Sequence, residues 1–263
     1  MQKSFQKAMA SIAVALLFVS CSGSDDTIIN NITGAGNLRV EFDNAYNGDD
    51  LILGSQTYTT SGNETLKIET AKYIISNIEL TDANGNTFVY PKSDSYFIVD
   101  ESNPSSLFLN LTNIPAGNYN SIKFGIGIDQ EQWEMGAEGQ GTILPLAQDA
   151  DLFWSWTAGY KFLAFEGQFT SATVPDETLF MVHTGKTGTD YNYTAVSLAL
   201  PAAALVRPEI TPEIHVVADL SKIIDGSNKI SLSEGAMVMG GAKLARITEN
   251  LKQMFSVAHV HND

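Results

Sequence analysis

Short stretches in which hydrophobic and polar residues alternate recur along most of the chain. The first places Leu38, Val40 and Phe42 on one face, which is the pattern of a half-buried strand. Similar stretches follow at 65–68, 73–80, 88–90, 96–99, 106–111, 121–128, 152–156, 160–166, 178–183, 194–200, 213–220 and 229–232. Because no long helical stretches separate them, these strands predict an all-β fold, an antiparallel β-sandwich.

One turn and one short C-terminal α-helix complete the predicted elements. The run Asp82-Ala83-Asn84-Gly85-Asn86 separates two strands and is typical of a hairpin, because Asn and Gly tolerate positive φ. Near the end, Leu244, Ile247 and Leu251 recur at helical spacing, and Met254-Phe255 extends the same face. The preceding Ala236-Met237-Val238-Met239, bracketed by glycines, is expected to be a loop. No repeat or Pro-rich linker divides the chain, so we expect one domain over 37–263.

The first twenty residues have the pattern of a lipoprotein signal peptide. Lys3 and Lys7 precede a short apolar stretch that ends in Ser20-Cys21, and this stretch is too short for a membrane-spanning helix. The run 17–21 resembles a bacterial lipobox, although Phe18 departs from the usual Leu. We therefore expect cleavage after residue 20, a lipidated Cys21, a flexible tether over 21–36 and an outer-membrane lipoprotein on the periplasmic or exposed face. The alternative is an ordinary signal peptide that leaves a free thiol.

Charge and cysteine content narrow the function classes. The chain has 15 Lys and Arg against 30 Asp and Glu, a net charge of −15. Such acidity excludes attraction to nucleic-acid phosphates and polybasic docking on a membrane, so the membrane contact is expected through the lipid alone. The single Cys excludes an internal disulfide.

Common catalytic signatures are missing. Gly185-Lys186-Thr187 looks like the end of a phosphate loop, but Phe180 occupies the position of its first glycine. There is no Gly-x-Ser-x-Gly nucleophile elbow. A hydrolase would need two acids brought together in space, with Asp149, Asp151 and Glu166 as candidates, and nothing in the pattern selects a pair. We therefore predict a protein that is not an enzyme.

The four histidines are the best candidates for a metal site. His259 and His261 are two residues apart at the chain end, so in an extended segment their imidazoles lie on one face and can converge on a metal ion. The alternative is a solvated tail. His183 ends an apolar strand and is either a site residue or a capping histidine at the core edge. His215 alternates with Ile214 and Val216 and is either a ligand or a histidine satisfied within the sheet.

Copper is the metal that such nitrogen ligands favour, since Cu²⁺ stands at the top of the affinity order for divalent first-row ions. Methionine thioethers are soft ligands for Cu⁺. Core packing is nevertheless the default expectation for each of Met181, Met237, Met239 and Met254.

Two tryptophans are expected to share a face. If 152–156 is a strand, Leu152, Trp154 and Trp156 point to the same side. Paired indoles there form part of a core or a stacking platform. The platform supports a second hypothesis, a non-enzymatic surface module that binds glycan or peptide through Trp154, Trp156 and Tyr160.

An ordered series of motifs over residues 37–263 resembles the MbnP family. Its parts are Tyr73-Ile74-Ile75-Ser76-Asn77-Ile78-Glu79-Leu80, Phe124-Gly125-Ile126-Gly127-Ile128-Asp129, Leu152-Phe153-Trp154-Ser155-Trp156, Gly159-Tyr160-Lys161-Phe162-Leu163, Met181-Val182-His183-Thr184-Gly185, and Met254-Phe255 before His259 and His261. The family consists of secreted copper-binding proteins, many of them Bacteroidetes lipoproteins.

The resemblance implies a β-rich extracytoplasmic domain that binds copper, with His183, His259 and His261 as the ligands that carry over. It also implies a partner, a di-haem cytochrome c peroxidase-like protein of the MbnH type, that oxidises a tryptophan to kynurenine. Trp154 or Trp156 is the expected oxidisable residue, and Trp133 is a third candidate.

Overall fold

The computed structural model describes residues 32–263. The predicted signal peptide, the predicted lipidation site at Cys21 and most of the predicted tether lie outside the described residues. Regular structure begins with β1 at Ala35, two residues before the predicted start of the domain.

The described residues form sixteen strands. They are β1 (Ala35–Tyr46), β2 (Asp49–Asp50), β3 (Tyr58–Thr59), β4 (Thr65–Asp82), β5 (Thr87–Val89), β6 (Tyr96–Asp100), β7 (Phe108–Pro115), β8 (Gly117–Ile126), β9 (Phe153–Ser155), β10 (Gly159–Thr170), β11 (Thr178–Thr187), β12 (Asp190–Tyr191), β13 (Thr194–Val206), β14 (Glu213–Asp219), β15 (Met237–Val238) and β16 (Phe255–His261).

These strands form two sheets. The smaller has five strands in the order β16-β14-β1-β2, with β7 also paired to β1. The larger has eleven strands built on the order β12-β11-β10-β4-β8-β13. Most pairs are antiparallel; β1 with β14 and β11 with β15 are parallel. The prediction of an all-β sandwich is confirmed.

An aromatic cluster packs the two sheets together. Phe124 of the larger sheet contacts Phe42 and Phe255 of the smaller one, with ring centroids 5.5 and 5.1 Å apart in edge-to-face geometry. Each alternates with outward-facing neighbours along its strand, as the sequence pattern predicts. The core is therefore a continuous layer between the sheets.

Helices occupy the connections. They are α1 (Gln130–Glu134), α2 (Gly136–Gly139), α3 (Ile143–Asp149), α4 (Lys222–Asp225) and α5 (Gly241–Leu251), with short 3₁₀ turns at Lys92–Asp94 and Pro104–Leu107. Of these, α3 buries Ile143 and Ala147 in a second apolar cluster that includes Phe162. No helix within residues 32–263 is long and apolar enough to cross a membrane.

The structure revises several predicted boundaries. The stretches 65–68 and 73–80 belong to the single strand β4, and 229–232 is not a strand. The expected loop around Met237 contains β15. The C-terminal helix α5 is confirmed, but it ends at Leu251 because Phe255 starts β16 and enters the core between the sheets. The predicted hairpin turn is confirmed: the Asp82 carboxylate accepts hydrogen bonds from the N–H groups of Asn84 and Asn86.

Candidate functional site

Three of the four histidines lie together on the smaller sheet. β14 pairs with β16 so that His215 is directly opposite His259, and Glu213 is opposite His261. The ring centroids of His215 and His259 are 4.5 Å apart, as are those of His259 and His261. The C-terminal pair lies in β16, which is the extended conformation that a shared metal site requires.

Strand alternation places these imidazoles on the outer face. Ile214 and Val216 on either side of His215 are fully buried, so His215 points away from the core. The register shifts after His215, which leaves Ala258 as an extra residue in β16, the arrangement of a β-bulge. His259 and His261 are exposed to solvent. The histidine cluster, defined as His215, His259 and His261, is therefore open to an incoming ion.

Two carboxylates from β1 flank this cluster. The parallel pairing of β1 with β14 puts Glu41 beside His215, and its Oε2 lies 3.1 Å from Nδ1 of His215. Asp43 Oδ2 lies 3.2 Å from Nε2 of the same ring. Each ring nitrogen of His215 therefore faces one carboxylate oxygen. The acids thus orient the ring and add negative charge beside it.

The side chains of the cluster do not yet point at a common centre. Among residues 32–263, no three His, Cys, Asp or Glu side chains are arranged to hold a metal ion as they stand. An open cleft of about 410 Å³ adjoins His261 and is lined also by Arg39, Glu213 and Asp263. The exposed imidazoles therefore have room to rotate.

His183 lies elsewhere, on β11 of the larger sheet, and the structure does not bring it to the C-terminal pair. It is 4% exposed, and its Nε2 is 2.6 Å from Oε1 of Glu166 on the neighbouring β10. The Trp154 ring lies against it, with centroids 5.5 Å apart. The expectation that His183 ends its strand is wrong: β11 continues to Thr187.

Charged groups lie close to His183. The hydrogen bond from His183 lowers the pKa of Glu166 and outweighs the opposing effect of burial. Lys161, itself 5% exposed, donates to Asp151 at 2.9 Å and places its ammonium 5.8 Å from the centroid of Trp154. The Trp154 ring thus lies close to both the Lys161 ammonium and the His183 imidazole.

The three tryptophans do not form one platform. β9 ends at Ser155, and Leu152 is buried while Trp154 and Trp156 are exposed, so the expected common face is wrong. Trp156 stacks on Trp133, with centroids 5.3 Å apart and planes 22° from parallel, while Trp154 packs on His183. Tyr160 is 1% exposed. The buried Tyr160 is therefore not part of an exposed stacking surface with Trp154 and Trp156.

The acids considered for hydrolysis have different partners. Glu166 bonds His183, Asp151 bonds Lys161, and Asp149 lines a different cleft with Lys72 and Leu146. Sequence reasoning missed Glu41 and Asp43 as neighbours of His215. The alternation in β1 shows both pointing outward, but only the pairing of β1 with β14 brings them to the histidine.

Comparison with known proteins places the fold in a family. The sequence profile of MbnP matches residues 35–240. The chain belongs to the MbnP family. A solved structure, MbnP from Methylosinus trichosporium, superposes with a TM-score of 0.51 at 17% identity, covering 80% of this chain and 82% of that one. At that identity the likeness shows the fold. Comparison with curated proteins found no match.

The MbnP profile covers some candidate residues and not others. His183, His215 and all three tryptophans fall inside the matched residues, whereas His259 and His261 follow its end at residue 240. The C-terminal half of the histidine cluster is therefore supported by the geometry of β14 and β16 rather than by the family match.

Proposed function

We propose that this protein binds a copper ion through the imidazoles of His215, His259 and His261 and acts in copper acquisition or handling without turnover of its own. The observation that carries the proposal is the row of three imidazoles on the outer face of β14 and β16, with successive centroids 4.5 Å apart. Membership of the MbnP family supports copper as the metal.

The ring spacing suits adjacent ligands of one ion. With metal–nitrogen bonds of about 2 Å, each ring centroid lies about 3 Å from the metal, so two rings at a right angle are about 4.5 Å apart. Right angles between neighbouring nitrogen ligands are those of a tetragonal Cu²⁺ site. Rotation of the exposed His259 and His261 side chains would direct their nitrogens to a point shared with His215.

The surroundings favour a cation. Glu41 and Asp43 lie within 3.2 Å of His215 ring nitrogens, as outer carboxylates commonly do for metal-binding histidines. The chain's net charge of −15 adds a long-range attraction for cations. Bound copper would take the place of the hydrogen bond between one ring nitrogen of His215 and one of these carboxylates.

We place the protein outside the cytoplasm, held by lipid on Cys21 at the outer membrane, on its periplasmic or exposed face. The support is the signal-like pattern of residues 1–20 and the acidic, small-residue run that follows Cys21. Radiolabelled palmitate should be incorporated into the wild-type chain and not into Cys21→Ser.

A second copper centre involving an oxidised tryptophan is favoured by one observation, the contact between the Trp154 and His183 rings. Two equivalents of peroxide, used by a di-haem peroxidase-like partner, would cleave the indole C2–C3 bond to give N-formylkynurenine and two waters. Hydrolysis of the formyl group by water would then release formate and leave kynurenine. Trp154 is 37% exposed and so open to such a partner. Peptide mass spectrometry after treatment with a di-haem peroxidase and peroxide should place the modification at Trp154; modification confined to Trp133 or Trp156 would contradict this assignment.

Titration with Cu²⁺ tests the main proposal. His259→Ala/His261→Ala should weaken Cu²⁺ binding by at least about tenfold, since even outer-shell changes cost that much. Ser256→Ala, an exposed change on the same strand, is the matched control and should bind as the wild type does. Equal Cu²⁺ affinity of the double variant and the wild type would refute the site.

A further inference from the structure

The larger sheet has a free edge at β6, beside a cleft of about 430 Å³. Within the described residues, β6 pairs with β4 alone. The helix α3 packs on one face of β6, where Tyr96 and Ile98 join the apolar cluster of Ile143. The strand β7 lies on the other face, because Val99 and Leu109 both belong to the core between the sheets. The cleft therefore follows the edge of β6 between two walls.

The hydrogen-bond pattern shows which backbone groups of β6 are not used by β4. The Glu101 N–H donates to the Ala71 carbonyl at 3.1 Å. In an antiparallel pair, such bonded residues alternate with residues whose N–H and C=O groups point away from the partner strand. The register pairs Ile98 with Ile74 and continues to Glu101, so Ile98 and Tyr96 are of the second kind. Their N–H and C=O groups therefore face the free edge.

The loop after β6 closes one end of this edge. The Asp100 N–H also points away from β4, and it donates to the Ser106 hydroxyl at 2.9 Å. The Asp100 carbonyl accepts hydrogen bonds from the Ser106 hydroxyl and the Asn103 N–H. Within the described part of the chain, no loop bonds Ile98 in this way. The free edge thus extends from Tyr96 to Val99.

The sequence of β6 does not protect this edge from another strand. Natural edge strands commonly carry a charge, a proline or a β-bulge that prevents pairing. The run Tyr96-Phe97-Ile98-Val99 has neither charge nor proline, and its register with β4 is continuous. Because α3 and β7 flank the edge on both faces, the cleft admits a single extended segment more readily than a second sheet.

The two walls set the side chains that such a segment needs. Phe108 lines the cleft on the β7 side and is apolar. On the α3 side Leu146 is 45% exposed, and Asp149 is also exposed. Lys72 already pairs with Asp100 at 3.1 Å, so the ionisable lining carries a net negative charge. An apolar side chain fits the β7 wall, and a Lys or Arg fits the α3 wall, where its stem covers Leu146 and its charge reaches Asp149.

We propose that an extended peptide segment of a partner protein adds to β6 as an extra strand in this cleft. The backbone of the segment bonds the free N–H and C=O groups of Tyr96 and Ile98, and its side chains alternate between apolar and basic. Strand addition takes its affinity from backbone hydrogen bonds and its specificity from alternate side chains. The histidine cluster lies on the smaller sheet, so the inference does not rest on copper binding.

Two N-methylated peptides test the backbone pairing without altering the protein. The probe is fluorescein-labelled Val-Lys-Val-Lys-Val-amide, and fluorescence anisotropy follows its binding to the purified chain. Successive N–H groups of an extended peptide point to opposite sides, so methylation of the second and fourth, or of the third and fifth, nitrogens removes donors on one side only. One isomer should bind as the parent peptide does and the other at least about tenfold more weakly. Equal affinities of the two isomers would overturn the proposal, and so would no binding of the parent at millimolar concentration.

A proline in β6 tests the same contact from the side of the protein. Ile98→Pro removes a donor of the free edge and none of the ladder with β4, and proline is tolerated on an edge strand when its nitrogen faces outward. Peptide affinity should fall at least about tenfold. Val89→Pro is the matched control: β5 also pairs with β4, and the Tyr90 N–H donates to Ile78, so the Val89 nitrogen points outward as well. An equal loss in both variants, or none in Ile98→Pro, would contradict strand addition; should Ile98→Pro misfold, the methylated peptides still decide.

The basic side chain of the segment is tested at Asp149. Asp149→Asn should weaken binding of the peptide about threefold and reduce its dependence on salt, as for a charge pair at the rim of an interface. Glu138→Gln, which removes an exposed charge on α2, is the control and should bind as the wild type does. Wild-type affinity and salt dependence in Asp149→Asn would refute the recognition of a basic residue.

A second copy of this chain is the other occupant that a free edge could take. Sedimentation of the chain alone distinguishes the two. Monomers at micromolar concentration would support a peptide of another protein as the occupant. A dimer that Ile98→Pro dissociates would assign the edge to a second copy and overturn the proposal.

Discussion

Glu64 is expected to anchor the segment that leads into β15, and its replacement tests that reasoning. Its side chain is buried, at 3% exposure. Oε1 accepts hydrogen bonds from the Ser231 hydroxyl at 2.9 Å and the Ser233 N–H at 2.8 Å, and Oε2 accepts one from the Leu232 N–H at 3.0 Å. One carboxylate thus satisfies three donors of a loop with no regular structure of its own.

Glu64→Gln preserves the shape of the side chain but replaces one of the two acceptor oxygens by an NH₂ donor. Whichever position the amide NH₂ takes, it faces a backbone N–H, from Leu232 at one oxygen or from Ser233 at the other. At least one hydrogen bond to a charged group is lost and a buried donor is left without an acceptor. We expect a loss of about 2–4 kcal/mol in the free energy of unfolding.

Urea denaturation followed by circular dichroism measures this change. The midpoint should fall with little change in slope, because the surface exposed on unfolding is the same. Glu249→Gln is the matched control: Glu249 pairs with Lys252 at the surface and its loss should cost less than about 1 kcal/mol. A midpoint for Glu64→Gln no lower than that of the control would refute the anchoring role.

The same contacts set a pH dependence. Burial opposes ionisation of Glu64, but the hydrogen bonds from Leu232, Ser233 and Ser231 outweigh it and lower the pKa. Because the pKa is lower in the folded state than in the unfolded one, the stabilisation is complete above the unfolded value of about 4.3 and is lost as the pH falls from there through the folded pKa. The stability difference between wild type and Glu64→Gln should shrink over that acidic range; a constant difference would contradict the linkage.

Two further changes test the packing around the sites. Gly127→Ala should lower the thermal midpoint by an amount equivalent to at least about 2 kcal/mol, because φ is +102° and the new Cβ would clash with the Phe162 ring. The control is Gly85→Ala, which also has a positive φ but has open space around the new Cβ, so it should cost less. Equal losses in the two variants would contradict the steric explanation. Tyr73→Phe removes the 2.8 Å hydrogen bond from a fully buried hydroxyl to Asn44 Oδ1, and the urea midpoint should report a loss of about 1 kcal/mol; an unchanged midpoint would show that the bond contributes nothing net.

Several features followed from the residue pattern alone. Alternation in β1 and β14 was sufficient to assign the buried face, because a strand has only two faces and apolar side chains take the inner one. The same rule placed His259 and His261 on one side of an extended segment. The short helices over 130–149 were missed, although Asp129 followed by Gln132 is a helix-start pattern, and the Asp129 carboxylate does accept the Gln132 N–H.

Local patterns failed where a strand stopped early or a partner came from far along the chain. Trp154 and Trp156 were expected on one side, yet β9 ends between them and each indole packs on a different ring. The contact of His183 with Glu166 depends on the register of β10 against β11, which no local signal records.

By itself the sequence determined an all-β sandwich, a C-terminal helix, a face of paired histidines and an acidic chain without catalytic signatures, because each of these depends on periodicity or composition. Only the tertiary structure decided which histidines meet. Pairing β14 with β16 joined His215 to His259, and the parallel contact of β11 with β15 set Met181 beside Met237. These neighbours depend on the register between strands that are far apart in the sequence. That register is selected by the free energy of packing the whole core, because local conformational preference does not determine which strands pair.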